Sequence, residues 1–213
     1  MPSATPVVPA EDPAAALRRT PSQRRSRERV ERMLAAATEL IAAKGSDAMR
    51  MSEVAERAGV SIGSLYQYFP DKAAVIRMLA ERYNAQGRAC IEAELANVRD
   101  RAGLRAAFAR LIDTYYAMFL AEPVMRDIWS GTQADMELRA IDLEDSRANG
   151  ALLAATLARL DPEADRAKLA ATAFLIMQLG EATMRLAISV ERREGDALVE
   201  GFKHMVLREL APE

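Results

Sequence analysis

The sequence is poor in the residues that build most catalytic and metal centres. It has one cysteine, Cys90, and one histidine, His204, in 213 residues. A single cysteine excludes an intramolecular disulfide framework and a cysteine-built zinc cluster. A single histidine argues against a histidine-based metal site or a Ser-His-Asp triad assembled within one chain. Aromatic residues make up 5% of the chain, and valine plus isoleucine number 20 against 42 alanines. That imbalance favours helix over sheet, and no stretch alternates apolar with polar residues. An overall basic excess is also missing, since the net charge is −2. No cationic start precedes an apolar run, so no secretory signal is read, and the expected location is cytoplasmic. The longest apolar region, 169–190, is interrupted by Gln178, Glu181 and Arg185, which a lipid-facing span would not carry. It is read as a buried helix, and no membrane partner is expected.

What is present is a globular apolar fraction of 50% with unevenly placed charge. Five of the nine prolines fall in residues 1–21, read as a disordered tail. Residues 18–72 carry 11 Lys/Arg against 7 Asp/Glu, whereas residues 73–213 carry 18 against 22. The basic part is densest from Arg18 to Arg32. Alone, such a run is as readily a solvated face as a nucleic-acid contact. The expected division is a tail over 1–21, a small basic unit over 22–72 and a larger domain over 73–213.

Hydrophobic spacing predicts an all-α chain of about nine helices. Val30, Met33, Leu34, Ala37, Leu40 and Ile41 mark the first, ending at Lys44-Gly45. Short helices follow, with Ser52 as the expected N-cap of one and Ile62 to Phe69 as the other. A long helix opens at Lys72, and Asp100 and Pro123 open two more. Thr132-x-x-Asp135 resembles a capping box opening a helix toward Leu160. Asp161-Pro162-Glu163 reads as the start of a helix running to about Arg193, stopped by Glu194-Gly195.

The stretch from Met51 to Phe69 carries the chemistry. Ala55 offers a small contact point and Gly59, four residues later, a left-handed turn. Val60 and Leu65 fill the wedge between two steeply crossed helices. Those are the steric demands of a helix-turn-helix, whose second helix lies in the DNA major groove. On that helix Ser61 and Ser64 suit base edges or phosphates, Gln67 suits an adenine edge, and Gly63 permits close backbone approach. Tyr66 and Tyr68 end in hydroxyls suited to phosphates, and Lys72 adds a cation on the first turn of the next helix. A plain helical hairpin would need neither the serine-glycine-tyrosine face nor the arginines before it.

The run Gly59-Val-Ser-Ile-Gly-Ser-Leu-Tyr-Gln-Tyr-Phe-Pro-Asp-Lys72 resembles the signature of the TetR/AcrR family of bacterial transcriptional regulators, over roughly residues 27 to 75. The resemblance implies a three-helix DNA-binding domain, a helical ligand-binding domain, and a homodimeric repressor that leaves its double-stranded operator when a small molecule binds. Carried over by position, Ser61, Gly63, Ser64 and Gln67 lie where members touch bases or adjacent backbone. Tyr66, Tyr68 and Lys72 lie where they clamp phosphates, and Arg50 and Ser52 open the preceding helix. Ile62 departs from the lysine, proline or glutamine common there, which leaves its base preference open.

The rest of the chain is less specific. Residues 169–190 are apolar nearly all round, and Leu198, Phe202, Met205 and Val206 repeat on the final helix. Together they suggest half of a four-helix homodimer interface, approached closely at Ala171, Gly180 and Ala187, and hence a pseudo-palindromic operator. Tyr115, Phe119, Met125, Trp129, Met136, Phe174 and Met177 are candidates to line an apolar effector cavity, with Gln178 and Arg185 as polar anchors. Each by itself reads more readily as plain core, and Arg185 as an ion-pair partner of Glu181. Asp135, Glu137, Asp142, Glu144 and Asp145 crowd one helix. A solvated face accounts for them, with a metal or cationic-ligand site as the alternative. No catalytic residue, metal or cofactor is expected. An all-helical adaptor that binds protein without DNA is the rival function.

Overall fold

The computed structural model describes residues 13–131 and 135–210, with side chains from residue 24. Among these residues the chain is entirely helical. The elements are α1 (Pro13–Lys44), α2 (Met51–Ala58), α3 (Ile62–Tyr68), α4 (Lys72–Ala96) and α5 (Arg101–Ala121), then α6 (Pro123–Gly131), α7 (Met136–Leu160), α8 (Arg166–Ser189) and α9 (Arg192–Leu210).

Helix α1 begins inside the segment expected as a tail. Proline is tolerated in a first turn, and Ala14, Ala15, Ala16, Leu17, Arg18 and Arg19 are strong helix formers. Residues 1–12 of the expected tail lie outside the described residues.

The N-terminal unit packs α1 on α2 and α2 on α3, and α4 and α6 close against α1. Its core holds Met33, Leu34, Ala37, Ile41, Val54, Ala55 and Leu65, all nearly or wholly buried. Gly59 has φ +65° and caps α2 in the left-handed region. The Val60 amide donates to the Ala55 carbonyl at 3.0 Å, which closes the turn and aims α3 across α2. The expected small contact, turn and wedge all occur.

Three helix boundaries differ from expectation, each through capping. Arg50, not Ser52, is the N-cap of α2, and the Glu53 carboxylate accepts the Arg50 amide at 3.2 Å. Asp135 itself caps α7, accepting the amides of Glu137 and Leu138 at 2.8 and 3.1 Å; Thr132 lies outside the described residues. Asp161 ends α7, and α8 starts four residues later, where Asp165 accepts the amides of Ala167 and Lys168. An aspartate followed by proline is a good cap by composition, but only Asp165 has a free amide row to satisfy.

The C-terminal bundle is built on α7 against α8, with α4, α5 and α9 around them. Two glycines allow the closest approaches. Gly150, preceded by Asn149 in what would elsewhere be a turn dipeptide, lies inside α7. A Cβ there would stand 2.9 Å from the Phe174 Cα. Gly195, expected as a helix stop, lies in the first turn of α9 instead. A Cβ there would collide with the Ala187 carbonyl and stand 2.9 Å from the Tyr116 hydroxyl. No helix of the described residues is long and apolar enough to cross a membrane.

Gly195→Ala is therefore expected to lower unfolding stability by about 1–3 kcal/mol through overpacking. Urea denaturation followed by far-UV circular dichroism reads this out. An unchanged midpoint would contradict the close approach of α9 to α8.

Candidate nucleic-acid interface and ligand cavity

Helix α3 is too short to hold itself together, so its ends and one side chain hold it. Ser61 is its N-cap and accepts the Ser64 amide at 3.1 Å. Leu65 is fully buried, and Phe69 is buried just past the last turn. Everything else on the helix faces outward or sits at its edge. Ser61, Ile62, Gly63, Tyr66 and Gln67 are exposed, with Ile62 at 43% and Tyr66 at 49%. A Cβ at Gly63 would meet nothing within 4 Å, so its bareness serves no contact inside the chain. The Ser64 hydroxyl is buried and unpartnered. Arg50 and Ser52 are exposed at the start of α2.

The two tyrosines differ. Tyr66 projects freely, whereas the Tyr68 hydroxyl lies 3.0 Å from the Ser26 hydroxyl of α1. That contact brings the arginine-rich turn of α1 to the end of α3, a link that no local pattern signals because 42 residues separate the pair. Arg25, Arg27 and Arg32 are exposed there without a carboxylate partner among the described residues, while Arg24 pairs with Glu28. Lys72 is half-buried, and its Nζ donates to the Ser46 and Asp47 carbonyls at 3.0 Å each. It braces the α1–α2 turn, leaving one of three N–H donors uncommitted.

A second site lies in the C-terminal bundle. A cavity of about 80 Å³ opens between α4, α5, α7, α8 and α9. Its apolar wall includes Cys90, Ile91, Leu111, Ile112, Tyr115, Met118, Ile176, Met177, Met184 and Phe202. Of the side chains expected to line it, only Tyr115 and Met177 do. Phe119, Met125 and Trp129 are buried one layer away, in an edge-to-face series running Tyr115–Phe119–Trp129 with centroids 5.1 and 6.0 Å apart. Phe174 lies under the Arg147 guanidinium, 4.4 Å from its centroid. Met136 is 82% exposed at the start of α7. Helical spacing gives the face of a residue but not the depth of the neighbour it meets, and these five lie off the cavity wall.

The expected anchors also do other work. Gln178 donates to the Ser146 hydroxyl at 2.7 Å, and that hydroxyl donates to Glu181 Oε1 at 2.6 Å. Arg185 lies 3.8 Å from Asp142 and 3.9 Å from Glu181. The polar residues at the cavity are Asn84, Asp145, Asn149 and Glu181, all buried. Asp145 accepts from Arg88 and, at 2.8 Å, from Asn149 Nδ2. The acids of α7 thus do not share one solvated face: Asp135 caps, Glu137 pairs with Arg77, and Asp145 is buried. Burial pushes the Asp145 carboxyl up against the pull of Arg88. Burial, with Asp142 beside it, pushes Glu181 up to about 9. Burial also raises Tyr115 well above the usual phenol range. The described residues contain no His/Cys/Asp/Glu group arranged to hold a metal ion.

Comparison with known proteins agrees with this two-part plan. Residues 33–79 match the model for bacterial regulatory proteins of the tetR family. Residues 102–213, just over half of the chain, match that for the tetracyclin repressor-like C-terminal domain. The chain belongs to the TetR family. Among curated proteins none matches the chain. Similar solved structures include a TetR-family transcriptional regulator from Streptomyces coelicolor, 25% identical, with TM-score 0.65 over 87% of this chain and 96% of that one. The fatty acid degradation regulator FadR from Bacillus halodurans is 20% identical, with TM-score 0.63 over 84% and 94%. FadR from Bacillus subtilis in complex with stearoyl-CoA is 20% identical, with TM-score 0.58 over 85% and 97%. The protein is accordingly a TetR-family regulator with a helix-turn-helix unit and a helical ligand-binding domain.

A carboxyl raised in the folded state binds a proton that the unfolded chain has released. Its contribution is therefore lost as pH climbs from the ordinary value of 4.5 toward 9. Glu181→Gln, which keeps the shape without the charge, is expected to melt above the parent protein at pH 8. The gap should close as pH falls toward 5. Thermal melts across that range decide it, and parallel curves would place Glu181 in water.

Proposed function

We propose that the protein is a homodimeric repressor that binds a pseudo-palindromic operator and leaves it when a small, mostly apolar molecule enters the bundle cavity. The outward, unpartnered face of α3 carries this reading. Gln67, Ile62 and Gly63 meet bases or adjacent backbone, and Ser64 joins them by turning its buried hydroxyl outward, with Ser61, Arg50 and Ser52 at the groove edge. Tyr66, Tyr68 and the uncommitted donor of Lys72 meet phosphates, aided by Arg25 and Arg27. A regulator of this kind works where the chromosome is, in the cytoplasm.

The dimer rests on an unpaired stripe. Leu175, Leu179 and Leu186 of α8 are 56%, 43% and 50% exposed, and Met205 of α9 is 63% exposed. Their spacing puts them on one face, and a stripe of this kind is buried by a second copy more often than left wet. Gly180 and Ala187, by contrast, approach α9 of the same chain, so the interface uses the leucines rather than the small residues.

Ligand entry needs the cavity to grow, since small-molecule sites usually measure about 300–1,000 Å³. The methionines on its wall permit that. The stearoyl-CoA complex of Bacillus subtilis FadR supports an apolar occupant for this bundle. The aromatic series from Tyr115 ends at Trp129 on α6, and Asp127 of α6 accepts the Ser46 amide at 3.0 Å. Ser46 is also a brace point of Lys72. A shift of α6 thus moves the base of the reading unit, and ligand favours whichever head spacing goes with the wider cavity.

Gel-shift titration against salt tests the whole reading. Specific duplex binding with a steep salt slope supports it; no binding at low salt would leave the protein-binding adaptor. Gln67→Ala should relax preference at one base step by about 1–3 kcal/mol without changing the salt slope. Leu179→Glu with Leu186→Glu should convert a dimer to a 23.4 kDa monomer in sedimentation and abolish operator binding. A double variant that stayed dimeric would move the interface elsewhere.

A further inference from the structure

The polar end of the cavity is specialised in a way that its apolar wall does not require. Two unpartnered buried side-chain atoms lie on its lining residues, Asn149 Oδ1 and Glu181 Oε2. Both are acceptors. Asn149 and Glu181 are 7% and 6% exposed, so water does not satisfy these atoms cheaply. A third lining residue, Asp145, is a buried carboxyl whose two oxygens are already taken by Arg88 and Asn149. The nearest free donor, Arg185 Nη1, stands 3.9 Å from Glu181 Oε2 on a residue outside the lining, so what the lining itself lacks is a donor within hydrogen-bond reach of these two atoms.

Resting on the ligand reading above, we infer that the cavity takes a molecule with an apolar body and one protonated amine, whose N–H groups are accepted by Glu181 Oε2 and Asn149 Oδ1. The charge count agrees. Around Glu181 stand Asp142, Asp145 and Ser146 of α7, Arg185 of its own helix, and Tyr115 of α5, while Arg88 of α4 holds Asp145 from the far side. Three carboxyls face two guanidiniums, and the empty site meets the imbalance by keeping a proton on Glu181, whose carboxyl titrates near 9. An ammonium replaces that proton: one cation enters, one proton leaves to solvent, and the net charge of the pocket is unchanged. An anionic headgroup would instead add like charge beside Asp145 and Asp142.

Octylamine, octanol and octanoate share one tail and differ in headgroup charge at pH 7, so their calorimetric titration into the full-length protein isolates the headgroup. Octylamine should bind at least about tenfold more tightly than either of the others. Heats measured in buffers of different ionisation enthalpy should show close to one proton released per amine bound. Amine affinity should rise with pH by up to about tenfold per unit below the Glu181 titration. In Glu181→Gln the proton release should vanish and the amine-to-octanol ratio collapse toward unity. Octanol or octanoate binding as tightly as the amine would overturn the cationic headgroup while leaving an apolar effector site standing. Amine binding without proton release would overturn the assignment to Glu181. If none of the three bound, both this inference and the cavity as effector site would fall; the wild-type proton count needs no variant to fold.

Discussion

Helix α3 is attached to the rest of the protein by one fully buried side chain, Leu65, between a left-handed turn at Gly59 and a buried stop at Phe69. The reading function depends on how little that attachment uses. A longer helix would spend a whole apolar stripe on the core; this one spends a single position and leaves Ile62, Gly63, Tyr66 and Gln67 for a partner. So slight an anchor needs its surroundings braced. Ser26 against Tyr68 and Lys72 on the Ser46 and Asp47 carbonyls supply the bracing from opposite sides. Two residues that composition offers as phosphate clamps are therefore also struts, which ties the pose of α3 to the position of α1 and of the α1–α2 turn.

The C-terminal bundle obeys a different constraint. Its helices approach closely, at Gly150 and Gly195 above all, yet α4, α7 and α8 bring several ionisable groups together where water is scarce. Apolar residues of the same volume would pack there at lower cost, because a buried ion pair rarely repays its desolvation. The arrangement at Asp145, Asn149, Ser146 and Glu181 leaves Asn149 Oδ1 and Glu181 Oε2 without a hydrogen bond, and Arg88 Nε and Arg185 Nη1 of the neighbouring guanidiniums are unpartnered as well. A purely structural core has no need of so many unmet polar atoms. Helix α6 stands between the bundle and the reading unit, with Trp129 against Phe119 of α5 and Asp127 accepting the Ser46 amide. Helix α4 belongs to both halves as well, packing on α1 and on α5 and α7.

The DNA-binding unit was largely legible in the sequence because its demands are local. A turn that requires a positive φ, a small residue four positions before it and an apolar residue six positions after are all fixed within fifteen residues, and periodicity alone separates the helices around them. The all-α plan follows equally from local propensity. The tail boundary was less legible, since proline content and helix-forming alanines pointed in opposite directions over residues 13–21.

Tertiary structure alone decided which side chains meet. Met136 and Trp129 read alike in the sequence, as large apolar residues near helix ends, yet one is in water and the other is core. Asp145 and Glu144 are neighbours in an acidic run, yet only Asp145 turns inward to Arg88, 57 residues away. Gln178 and Arg185 share a face of α8 as spacing requires, but what stands opposite that face is set by how α7 crosses α8 at Gly150. Local sequence determines the conformation of each segment, because backbone hydrogen bonds and caps reach only a few residues. The depth, partner and charge state of a side chain depend on helices far away in the chain, because burial and electrostatics act through space.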